Sequence, residues 1–210
     1  DGPIERCYST GKPTGNTYVG GFGGYVTFGG ASKISDCFWD EDTSDKSVGV
    51  DHGDGSGISG KTTAELLTQA TYTNFDFADD WYMADGDTRP FLRMEWGRQI
   101  NNSHQLQLMQ LELAAHYTLS RDIDLTPEMD NNASMWGTNV SWGGGFVPIG
   151  DASDPLTGTL DGLGHTITGL YINRSAADFV GLFGHIDTGS LIENIGLVDN
   201  NVTGDENVGG

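Results

Sequence analysis

Positive charge is scarce in this chain. Its 210 residues include 10 Lys and Arg against 30 Asp and Glu, a formal net charge of −20. Nucleic-acid binding draws on a basic surface that displaces counterions from phosphate, so that class is excluded. An anionic lipid surface is disfavoured on the same ground. Long apolar runs are missing too. Hydrophobic residues make up 36% of the chain, and no run approaches the roughly 20 residues that a membrane-spanning helix requires. No membrane insertion is expected. Two cysteines, Cys7 and Cys37, are too few for a disulfide-rich scaffold. Glycine is abundant, at 32 residues, but does not fall at every third position, which excludes collagen. The opening Asp1-Gly2-Pro3-Ile4 has no Met, no basic segment and no apolar stretch. The chain is expected to be a piece of something longer, with any signal peptide missing or already removed. High charge with modest hydrophobicity is compatible with disorder. Five Trp, seven Tyr and nine Phe, together with ordered repetition, argue for a folded, acidic, glycine-rich protein.

The repetition is internal. Residues 3–21 read PIERCYSTGKPTGNTYVGG and residues 191–210 read LIENIGLVDNNVTGDENVGG, which align with one residue of slack. Ile34-Ser35-Asp36-Cys37-Phe38 echoes Ile4-Glu5-Arg6-Cys7-Tyr8, 30 positions later, and Val180-Gly181-Leu182-Phe183-Gly184 echoes Val19-Gly20-Gly21-Phe22-Gly23. Short Val/Ile/Thr-rich runs broken by glycine at this period are a solenoid signature. The runs are too short for helix pairs, and their partial alternation, as in Thr166-Ile167-Thr168, suits strands. One winding would hold three short strands and three turns. Adjacent windings would pair as parallel strands about 4.8 Å apart. The expected fold is all-β: a right-handed parallel β-helix with short capping helices. Its pivotal requirement is that Ile4 lies beside Ile34.

Two segments are expected, 1–98 and 99–210. The first reads as late windings plus a closing piece. In it, Thr62-Thr63-Ala64-Glu65 is a capping-box pattern opening a short helix through about Ala70. Trp81, Tyr82, Pro90, Phe91, Leu92 and Trp96 would plug the open end of the core, where strand edges need cover. The second segment opens with Ser103 and a run from Gln105 to Ala115 whose apolar spacing fits a short helix. Strand alternation is also present there, so both readings stand. Tyr117-Thr118-Leu119 and Asp122-Ile123-Asp124-Leu125 then begin a new strand series.

Several stretches resemble the GLUG-motif regions of large secreted bacterial adhesins and exoproteins, with similar segments beside some IgA-cleaving peptidases. The resemblance is carried by Cys7-Tyr8-Ser9-Thr10-Gly11, Thr14-Gly15 and Val19-Gly20-Gly21-Phe22, and by Ile34 to Asp40 followed by Thr43-Ser44. Lys61 to Leu66, Arg89 to Arg93, Phe146 to Gly150 and Gly158 to Ile167 continue it. It implies a filamentous-haemagglutinin-like β-helix in a secreted or cell-surface protein, and it implies no chemistry. Residues 44–57 depart from the pattern with an Asp/Gly-rich loop.

Candidate chemistry is sparse. Gly55 to Thr62 matches the phosphate-cradling G-x-x-x-x-G-K-T pattern, but the segment before it is acidic and turn-like and no alternating β/α series follows. Carboxylates gather at residues 40–45, 51–54 and 76–87. Closely spaced oxygen ligands suit a structural calcium, although the spacing is not that of an EF-hand and a solvated acidic face is the plainer reading. No other cofactor is expected. Asp161, Asp187, His165 and His185 would be the acid–base groups of a polysaccharide-cleaving β-helix. The Asp161 to His165 stretch reads equally as a turn, and fold alone supplies no activity. Cys7 and Cys37 hold equivalent repeat positions, so on adjacent windings they form either a disulfide or two stacked core thiols. Sequons begin at Asn101, Asn132, Asn139, Asn173 and Asn201 and count only where the source glycosylates asparagine. The long Gly/Asn-rich loop holding Trp136 and Trp142 is the candidate ligand-contact surface, because insertions on repeat proteins carry binding.

The expectation is a non-catalytic extracellular structural or adhesive module. It would be a segment of a stalk, tandem array or fibre that partners itself by end-to-end stacking, with host or matrix glycans as further partners. The alternatives are a carbohydrate-binding or carbohydrate-cleaving β-helix and a non-catalytic region of a surface protease.

Overall fold

A computed structural model describes residues 2–27, 33–138 and 143–210. It divides into two compact units, residues 1–77 and 78–210. Both consist mainly of short strands, with a few helices of four or five residues.

In the first unit every strand pair among the described residues is parallel. Ile4–Glu5 runs beside Ile34–Ser35, with Ile4 opposite Ile34. Tyr8–Ser9 pairs with Cys37–Asp40, which pairs in turn with Ile58–Lys61. Gly23–Val26 pairs with Val50–Gly53. The strands can be so short because the chain bends sharply between them. Arg6 and Asp36 occupy the left-handed region (φ 51° and 53°) at the same point of successive repeats. This region is costly for a residue with a Cβ but within reach of a short polar side chain such as Asp. The core is Ile34, Cys37, Phe38, Trp39, Leu66, Tyr72 and Phe75. Tyr72 edges onto Phe38 and Phe75 with ring centroids 5.4 and 4.9 Å away. The expected capping box is present. Thr62 accepts from the Glu65 amide at 3.2 Å, and Glu65 accepts from the Thr62 amide at 2.9 Å. The helix Thr63–Leu66 follows, then a 3-10 turn Gln69–Thr71.

The second unit carries longer parallel ladders. One sheet runs Gln99–Ile100, His116–Leu119, Thr159–Asp161, Leu191–Glu193; another runs Ile123–Asp124, Thr166–Thr168, Gly196–Val198. Tyr171–Asn173 pairs with Asn201–Thr203. Register places like on like: Tyr117, Leu160 and Ile192 in one column, Ile123, Ile167 and Leu197 in the next, and Ile172 beside Val202. Leu160, Ile167 and Ile172 are wholly buried, each contributing roughly 1.5–3 kcal/mol from apolar burial. The run from Ser103 resolves as helix, Ser103–Gln107, continued by the 3-10 turn Leu108–Leu111. Leu106, Leu108 and Met109 are all buried, so helical packing wins over strand alternation there.

The division falls after Phe77, not after residue 98. Residues 81–96 were expected to close the first segment. Phe91 instead sits in the core of the second unit with Tyr82 and Trp96 packed on it, and Trp81–Tyr82 pairs antiparallel with Phe91–Leu92.

Candidate functional site

The first candidate surface in each unit is its outermost set of strands. Among the described residues, Ile4–Glu5, Tyr8–Ser9 and Gly23–Val26 each pair on one side alone in the first unit, as do Leu191–Glu193, Gly196–Val198 and Asn201–Thr203 in the second. The side of such a strand that faces away from its neighbour is a template for another strand. The two sets share a shape. Ile4–Glu5 ends on Arg6 (φ 51°) and Leu191–Glu193 ends on Asn194 (φ 55°). Further on, Tyr18 and Asn207 both have φ 56° and both precede a Val-Gly step. On the second unit an apolar hollow of about 270 Å³ opens among Leu182, Phe183, Ile186, Ile192, Ile195 and Leu197.

The second candidate is a cleft of about 500 Å³ in the second unit, lined among others by Tyr82, Gln110, Asp151, Ser153, Asp178 and Phe179. Local hydrogen bonds fix its polar groups. The Ser153 and Asp154 amides donate to Asp151 Oδ1 at 2.7 and 2.9 Å, and the Glu206 amide donates to Asp178 Oδ1 at 3.1 Å. The Gly150 amide donates to Gln110 Oε1 at 2.8 Å. Tyr82 packs against Phe91 at 6.3 Å, and burial pushes its phenol up to about 12, so it stays neutral. The Asp87 carboxylate and the Arg174 guanidinium, 2.8 Å apart, tie two segments of the same unit together.

Comparison with known proteins yields partial likenesses. No protein-family model matches the chain, and no solved structure does. Over 164 residues, 75% of this chain, it is 37% identical to a protein named halomucin from Haloquadratum walsbyi; the match covers 2% of that protein. Over 141 residues, 66% of this chain, it is 36% identical to a putative Gly-rich membrane protein from Evansella cellulosilytica, covering 15% of it. The chain thus spans a small part of each relative.

The remaining sequence candidates scatter. Trp136, expected at an exposed contact surface, is buried: its indole N–H donates at 2.9 Å to Gln107 Oε1, itself fully enclosed. A buried indole keeps its place only with such an acceptor, and this one draws the loop inward. Trp142 and Asn139 lie outside the described residues. Cys7 and Cys37 are both free thiols; Cys37 is buried in the core while Cys7 is half-buried. Burial, with the neighbouring Cys7, pushes the Cys37 thiol up to about 11. Asn101, Asn132, Asn173 and Asn201 are all exposed. Lys61 of the phosphate-loop look-alike ends the strand Ile58–Lys61 and pairs with Glu65 at 3.3 Å, which leaves no cradle. No group of three or more His, Cys, Asp or Glu among the described residues is placed to hold a metal ion. Asp161 accepts from the Leu163 amide and from Asn194, at 2.9 and 3.0 Å, while His165 lies 3.2 Å from Asp122. The His165–Asp122 pair and the Asp161 turn thus fasten turns. Sequence reasoning missed Tyr72, Phe75 and Phe77, although aromatics this closely spaced after a short helix were a usable signal. It also missed the cleft, whose walls no spacing connects.

Proposed function

We propose that the chain is a non-catalytic structural and adhesive segment of a secreted or cell-surface protein of the GLUG-motif kind. Its strands coil as a right-handed parallel β-helix that continues in tandem or stacks end to end. The observation that carries this reading is parallel, in-register pairing between repeats in both units, with the outermost strands paired on one side alone among the described residues. Handedness follows from chirality, since parallel crossovers are right-handed in nearly all sheets. The mechanism is mechanical: each layer templates the next through backbone hydrogen bonds, while net negative charge opposes lateral clumping. The membrane label on one relative and the large size of both fit a surface context. No helix among the described residues is long and apolar enough to cross a membrane. Electron microscopy of the purified chain tests the reading. Rods or filaments that lengthen with salt or calcium are expected; compact single particles under all conditions refute it.

A further inference from the structure

We infer that the cleft between Tyr82 and Phe179 is a binding subsite for a neutral carbohydrate, which deepens the adhesive half of the function proposed above. The argument begins with Phe179. It has φ 58°, the left-handed region, where a bulky residue is a true outlier. The same turn recurs before Val19 with Tyr18 (φ 56°) and before Val208 with Asn207 (φ 56°). Asn is among the side chains that tolerate this backbone best. The turn closes on Asn207 as well as on the aromatics Tyr18 and Phe179, so the backbone does not by itself require an aromatic at position 179. Phe179 is 41% exposed, its ring meets His185 edge-on at 5.9 Å, and the residue forms part of the cleft wall.

The polar groups select the ligand. Asp151 and Asp178 each commit one carboxylate oxygen to backbone amides, and the Gln110 carbonyl is likewise taken. The second oxygen of each carboxylate, the Gln110 amide N–H groups and the Tyr82 hydroxyl bond no described residue, and all four residues line the cleft. Two carboxylates repel phosphates, sulfates and uronic acids. A simple cation would engage the carboxylates alone and leave the amide and phenol donors unused. A ligand that both donates and accepts fits every group, and a pyranose does so through its hydroxyls while its C–H face lies on an aromatic ring. The volume of about 500 Å³ is within the usual range of small-ligand sites.

Saturation-transfer NMR on the intact chain tests this. The probes are neutral disaccharides of glucose, galactose, mannose and N-acetylglucosamine, with digalacturonate and tetramethylammonium as charged controls. Transfer to at least one neutral disaccharide is expected, with binding about tenfold weaker in Phe179→Asn. That variant suits the turn, so an unchanged melting temperature separates lost binding from lost fold. Silence toward all four neutral probes overturns the assignment. So does preference for either charged control, or undiminished binding by Phe179→Asn. Rods seen by microscopy alongside such a failure leave the structural reading standing, and globular particles that still bind sugar refute the structural reading alone.

Discussion

Leu160 is the most direct place to test whether stacked columns hold the second unit together. Its side chain is wholly buried and lies in register between Tyr117 and Ile192. Backbone ladders on both sides fix those neighbours, so the space left by Leu160→Ala cannot close. Buried Leu→Ala changes cost 2.7–5 kcal/mol depending on collapse, and a site braced in this way belongs in the upper half, at about 4 kcal/mol. The unit comprises residues 78–210, for which an unfolding entropy of roughly 0.28 kcal/mol/K gives about 3.5 °C per kcal/mol. A fall of about 14 °C in melting temperature is therefore expected, followed by circular dichroism. Leu191→Ala is the internal control. It sits on the outermost strand, 49% exposed, and is expected to cost under about 1 kcal/mol. Equal shifts for the two variants, or a Leu160→Ala shift below about 4 °C, would show that the columns do not carry the stability.

Other outcomes follow from the same geometry. Thr62→Ala removes an N-cap and should destabilise the first unit by about 1 kcal/mol, measured by urea denaturation. Asp87→Ala leaves the half-enclosed Arg174 without its carboxylate and should cost about 2 kcal/mol, while Asp87→Asn, which keeps an acceptor, recovers part of it. In reduced protein at pH 8, maleimide should label Cys7 well before Cys37, since Cys37 is buried and its thiol is pushed up to about 11; equal rates read by mass spectrometry would contradict the packing. His104, hydrogen-bonded at 2.7 Å, holds the Glu95 carboxyl below its usual range. A depressed carboxyl adds stability above its unfolded value and loses it as pH falls through the folded one. Acid melts should therefore be shallower in Glu95→Gln, and identical acid slopes would count against the pair.

Parallel pairing was legible because it is written in local pattern. Ile4 and Ile34 open equivalent repeats, and the structure sets them opposite each other. The Thr62/Glu65 capping box was legible for the same reason, its partners being three residues apart. Features decided by distant partners stayed hidden. Trp136 in a Gly/Asn-rich loop looks exposed until Gln107, 29 residues away, supplies its buried acceptor. Residues 81–96 resemble a plug for whatever precedes them, yet Phe91 packs with Ile100, Leu106 and Trp136. The cleft brings Tyr82, Gln110, Asp151 and Phe179 together from four separate stretches, and no periodicity links those.

The left-handed bends have a bearing on inheritance. Arg6, Asp36, Asn194 and Asp199 all adopt φ between 51° and 55°, so the corner keeps one main-chain geometry whether it carries Asn, Asp or the bulkier Arg. Copies made by gene duplication can then drift apart in composition while still fitting onto their neighbours. A lineage built this way can lengthen by whole modules and lose its recognisable consensus, retaining little beyond the shape of its corners.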